Sequence, residues 1–82
     1  MIKKNVKIIY YAILREQRKQ SEETWASQAN TLDELYQELK NKYAFSLPTH
    51  LLRVSVNNQF ARWKTPLKDG DTVIFIPPVA GG

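Results

Sequence analysis

This 82-residue chain has no cysteine and a single histidine. Without cysteine there are no disulfides, no thiolate metal sites and no cysteine nucleophile, so any sulfur chemistry must run through a group the protein acquires. His50 has no Asp or Glu at ligand spacing and no nucleophile beside it. It reads as a surface or packing residue, and no metal site, catalytic dyad or triad is expected. No stretch approaches the about 18 apolar residues of a membrane span. The basic start Met1-Ile2-Lys3-Lys4-Asn5 leads straight into a strand rather than a signal-peptide apolar region. A cytoplasmic protein without a membrane partner is expected. The net charge of +4 comes from scattered lysines and arginines. No helix face or short run gathers them among aromatics, as a phosphate-tracking groove requires. Nucleic acid is therefore not an expected partner, and a modest basic surface suits solubility or an acidic protein.

A chain of this length predicts one domain, residues 1–82, with a small core and roughly 60% of the unfolded surface buried. Lys7 to Leu14 is β-branched and aromatic and predicts the first strand. One parity is Ile8, Tyr10, Ala12 and Leu14; the other is Lys7, Ile9, Tyr11, Ile13 and Arg15, which begins and ends in charge and is assigned outward. Ile9, Tyr11 and Ile13 then form an apolar stripe, either a partner surface or a face covered by a helix or loop. Arg15 to Ser21 is polar and reads as a loop, and Glu22 to Ala29 as a weaker strand with Trp25 at the core edge.

Thr31 to Tyr43 predicts the main helix. Asn30 or Thr31 supplies the cap, with Glu34 three residues after Thr31 as a capping box. Leu32, Leu35, Tyr36, Leu39 and Tyr43 form one apolar stripe. Leu51 to Val56 and Gln59 to Trp63 read as strands around an Asn57-Asn58 turn, with Phe60 exposed near it. Asp69-Gly70 turns the chain into a last strand, Thr72 to Ile76, apolar enough for burial on both faces. Two hairpins flanking one helix predict an α+β, ubiquitin-like β-grasp. Its mixed sheet carries the main helix on one face, with first and last strands parallel. Val73 and Phe75 face Leu35 and Leu39; Ile74 and Ile76 join Ile9 and Tyr11 on the other side.

Beyond Ile76, Pro77 and Pro78 stop the ladder and stiffen the backbone. Val79-Ala80-Gly81-Gly82 then carries no charge and little bulk. Glycines enter channels too narrow for other residues. Residues 77–82 thus read as a thin, flexible tail that delivers the Gly82 carboxylate.

The ending Pro77-Pro78-Val79-Ala80-Gly81-Gly82 after Asp69-Gly70-Asp71, with Tyr10-Tyr11-Ala12 before Arg15-Glu16 and Val56-Asn57, resembles the small subunit of molybdopterin synthase. The resemblance implies a sulfur carrier that binds no cofactor and is not itself the catalyst. Gly82 would be adenylated by an ATP-using adenylyltransferase related to ubiquitin activators, then converted to a thiocarboxylate. The tail, Pro77 to Gly81, would thread into the large subunit and donate sulfur to a cyclic pyranopterin precursor. Two small and two large subunits would form a heterotetramer. By matched position, Tyr11, Phe60 and Ile76, with Ile9 and Ile74, form the apolar contact patch. The alternatives are a thiamine-pathway sulfur carrier, a related family whose chains generally lack the Pro-Pro, or a ubiquitin-like protein modifier.

Overall fold

A computed structural model describes residues 3–78; the expectations for Val79, Ala80, Gly81 and Gly82 lie outside the described residues. Alternation decides how the first strand faces. β1 (Lys4–Tyr10) buries Val6, Ile8 and Tyr10 and leaves Lys7 in solvent. It pairs antiparallel with β2 (Glu22–Ser27) and parallel with β5 (Thr72–Ile76). β5 pairs antiparallel with β3 (Arg53–Val56), which turns into β4 (Gln59–Ala61). The sheet order is β2-β1-β5-β3-β4. Asn57 and Asn58 both hold positive φ, 51° and 73°, as a two-residue hairpin turn requires.

α1 (Ala12–Arg18) links β1 to β2, and α2 (Leu32–Tyr43) crosses one face of the sheet. Leu32, Leu35, Tyr36 and Leu39 of α2 are fully buried in one core with Val73 and Phe75. Tyr36 meets Phe75 edge-on at 5.1 Å between ring centres, and Trp63 stacks on the same ring at 6.0 Å. Such aromatic pairs add roughly 0.5–1.5 kcal/mol each beyond their buried area. Asp33 and Glu34 lie in the first turn of α2, Lys40 and Lys42 in the last, each with the sign the helix dipole favours.

The predicted β-grasp stands, with corrections inside it. The first strand ends at Tyr10, not Leu14. Tyr11 keeps an extended backbone, Ala12 turns at φ 51°, and the expected strand end and polar loop are instead α1. Leu14, expected inward on a strand, is buried all the same, as the one side chain that α1 turns into the core. Ala12, assigned inward, is exposed. Leu51 lies in a short 3-10 turn, Thr49–Leu51, ahead of β3, and Trp63 lies beyond the end of β4. The expected capping box is rearranged. Thr31 donates its hydroxyl to Asp33, the Glu34 N–H that a capping Thr31 would receive goes to Asp33 Oδ1 at 2.8 Å, and Glu34 accepts from the Asn30 N–H at 3.0 Å. β5 is buried on one face only, with Ile74 and Ile76 half-buried on the other.

A polar cluster fastens α1 to the sheet. Glu23 on β2 accepts hydrogen bonds from the Tyr10 hydroxyl at 2.6 Å, the Tyr43 hydroxyl at 3.1 Å and the Arg18 guanidinium at 2.9 and 3.0 Å. Arg18 also stacks on Tyr43, 4.2 Å from its ring centre. Burial pushes Glu23 up, but the hydrogen bonds from Arg18, Tyr10 and Tyr43 outweigh it and hold the carboxyl below its ordinary range. Burial, then Glu23 itself, raises the Tyr10 phenol. Replacing Glu23 with Ala strands a guanidinium and two phenols, and is expected to cost about 3 kcal/mol at neutral pH. The depressed carboxyl stabilises the fold fully above its unfolded pKa of about 4.3 and ceases to as pH falls through the lower folded value. Denaturant unfolding of wild type and Glu23→Ala should therefore converge in acid; a constant gap across pH would show that the charge is not what stabilises.

Candidate functional site

The face of the sheet opposite α2 follows from the register. Ile9 lies beside Ile74, Ile74 beside Ser55, and Ser55 beside Phe60, so these four form one row across β1, β5, β3 and β4. One step of the pleat further, roughly 7 Å along the strands, Ile76 lies beside Arg53. Tyr11, just past the end of β1, keeps the outward parity because its backbone is still extended, at φ −124° and ψ 154°. Phe60 is 69% exposed and Tyr11 46%, while Ile9, Ile74 and Ile76 are half-buried. Among the described residues no helix or loop covers the Tyr11 end of this stripe. Tyr11, Phe60, Ile76, Ile9 and Ile74 are brought together on it. Ile13 is exposed too, but from α1 rather than from a strand.

Ser55 is only 7% exposed although it points to this open side. A small hydroxyl between larger neighbours makes a shallow floor in the row. Lys7 and Glu22 border the face and pair with each other at 3.4 Å, both about half exposed, so the pair contributes at most about 1 kcal/mol.

The tail leaves from the edge of this patch. Pro77 is buried and Pro78 exposed, so the chain turns from core to solvent across the diproline. Beside it runs a groove between the 3-10 turn and Pro77–Pro78, lined by His50, Leu51 and Arg53. Sequence reasoning left these last two out of the site. The sequence pattern puts Leu51 at the start of a strand, whereas the 3-10 turn leaves it 46% exposed. Arg53 was legible in principle, as a charged residue between Leu52 and Val54, which face the core. His50 is exposed. Among the described residues no helix is long and apolar enough to cross a membrane.

A mixed five-stranded sheet with parallel outer strands of the sequence at its centre and α2 across one face defines a ubiquitin-like β-grasp protein. The structure of small archaeal modifier protein 1 from Haloferax volcanii shares that fold, with a TM-score of 0.79 over 95% of this chain and 99% of that one at 18% identity. The chain belongs to the ThiS family, which it matches over residues 8–82. It is 31% identical to the molybdopterin synthase sulfur carrier subunit of Escherichia coli K12, covering 94% of this chain and 99% of that protein. To the protein of the same name from Mycobacterium tuberculosis it is 40% identical, covering all of both. It is also similar to a solved chain in the complex of subunits 1 and 2 of the molybdopterin-converting factor from Helicobacter pylori. That match has 29% identity and a TM-score of 0.63 over 95% of this chain and 99% of that one.

Proposed function

We propose that this chain is the sulfur carrier subunit of a molybdopterin synthase. The observation that carries the reading is end-to-end similarity to two relatives of that name. The open face of Tyr11, Phe60, Ile76, Ile9 and Ile74 beside the tail root supports it, since a carrier must dock on another protein and then reach into it.

The chemistry asks little of the carrier's own side chains. A free carboxylate is a poor electrophile, so one oxygen of Gly82 is made a leaving group by attack on the α-phosphorus of ATP, with loss of pyrophosphate. Sulfur at the level of hydrosulfide then attacks the acyl carbon, displaces AMP and leaves a thiocarboxylate. That sulfur is nucleophilic at neutral pH without a tuned base beside it. In the large subunit it attacks a carbon of the cyclic pyranopterin precursor and displaces an oxygen from it, and water then cleaves the acyl carbon–sulfur bond of the resulting thioester, so the sulfur stays on the pterin and the Gly82 carboxylate returns. ATP and the acid–base groups belong to the partners: an activating adenylyltransferase for the first half and the large subunit for the second. A heterotetramer of two small and two large subunits in the cytoplasm completes the proposal.

A thiamine-pathway carrier would use the same tail chemistry, and a protein modifier would end in an isopeptide bond instead. Intact mass of the chain from its native cells, purified with whatever binds it, separates these. A fraction heavier by one oxygen-to-sulfur exchange, together with a synthase large subunit, is expected. Chain linked through Gly82 to lysines of other proteins, with no thiocarboxylate, would overturn the carrier role.

A further inference from the structure

We propose that the synthase large subunit, where it covers this sheet face, sets a carboxylate side chain against Arg53. The inference rests on the docking role proposed above and adds the chemistry of the surface that docks. Arg53 opens β3 with outward parity, beside Ile76 in register, and its guanidinium carbon lies 5.7 Å from the centre of the Phe60 ring. Both Arg53 and Phe60 are exposed. Among the described residues no ion pair involves Arg53, and Glu22, which borders the face three strands away, is paired with Lys7. The patch thus carries, among the described residues, a cation with no acidic side chain paired to it.

A protein that buries Ile76 and Phe60 takes this guanidinium out of water with them. An uncompensated desolvated cation works against such an interface, whereas a carboxylate accepting two parallel N–H bonds offsets the loss. Phe60 lies within cation–π range of the guanidinium without accepting a hydrogen bond from it, so its N–H groups stay available to a partner. The groove beside it, where Leu51 is 46% exposed, gives an apolar neighbour of that carboxylate a place to lie. The chain's net charge of +4 favours an acidic surface in the same direction. The patch as a whole is therefore a mixed site, an apolar row with one cation at the point where the tail departs.

The test is isothermal titration of the full chain into the synthase large subunit of the same organism. Arg53→Leu, which keeps bulk and removes charge at an exposed position, is expected to weaken binding about 10- to 100-fold. Arg53→Lys should recover part of the loss, and wild-type affinity should fall more steeply with added salt than that of Arg53→Leu. Equal or tighter binding by Arg53→Leu, while Ile76→Asp still weakens it, overturns the carboxylate and leaves the docking face standing. No effect from either variant removes the docking face and this inference together. Sedimentation showing that the isolated chain dimerises through this face, with Ile76→Asp restoring the monomer, assigns the patch to a second copy and also overturns it.

Discussion

Deleting Gly82 is expected to abolish sulfur transfer and leave the fold untouched. The two outcomes separate because Gly82 lies six residues beyond the end of the last strand. The last strand ends at Ile76, its buried side chains are Val73 and Phe75, and the ladder to β1 and β3 is complete before Pro77. The thermal midpoint should therefore stay within about 2 °C of the full chain, well under the shift that a loss of 1 kcal/mol produces. Transfer behaves differently. One residue of extended backbone spans roughly 3.3–3.6 Å, so a carboxylate on Gly81 would stop that far short of the activated nucleotide and of the pterin. A displacement of about 1 Å can already cost roughly 100-fold in rate. The check is adenylate formation and precursor conversion by purified components, with unfolding monitored alongside. Measurable conversion by the shortened chain would show that the terminal position does not set the chemistry.

The elements that sequence reached best were those with long or paired signals. α2 was legible because five apolar residues repeat on one stripe and opposite charges occupy its two ends. β5 and its turn were legible because an apolar run stands between Asp69-Gly70 and a diproline. The parity of β1 gave the correct outward side for Ile9 and Tyr11. α1 was not legible, for a physical reason. It has seven residues and a single buried side chain, Leu14, so no helical period has room to appear, and the β-branched residues before it carry strand propensity across the boundary. Its helix is fixed from outside, by Leu14 entering the core and Arg18 reaching Glu23 on the next strand. Tertiary contacts override local preference there. Leu51 escaped for the same reason on a smaller scale, since one apolar residue beside Leu52 looks like the start of a strand until a 3-10 turn rotates it outward. Ile9, Tyr11, Ile74 and Ile76 of the open face followed from alternation, whereas Phe60 was legible only from its place beside the Asn57-Asn58 turn and from the family resemblance. The cation among them needed the register, because only the pairing of Arg53 with Ile76 places it at the tail root.

Threading can be tested apart from docking by replacing Gly81 with Val. The docking face lies at least five residues upstream in the chain, at Ile76, so affinity for the large subunit is expected to stay within about threefold. The valine adds a branched Cβ next to the reacting carboxylate. It stiffens χ1 and closes the positive-φ conformations that glycine enters freely. If the tail runs through a channel fitted to bare backbone, single-turnover sulfur transfer should fall by more than about 100-fold, by the same sensitivity to misplacement. Gly81→Ala, which adds one methyl without branching, should fall between the two. The pattern that matters is the split: preserved binding with lost turnover locates the need for glycine in the channel. Lost binding would place Gly81 in the docking contact itself, and normal turnover by the valine variant would show that the partner's channel is wider than two glycines require.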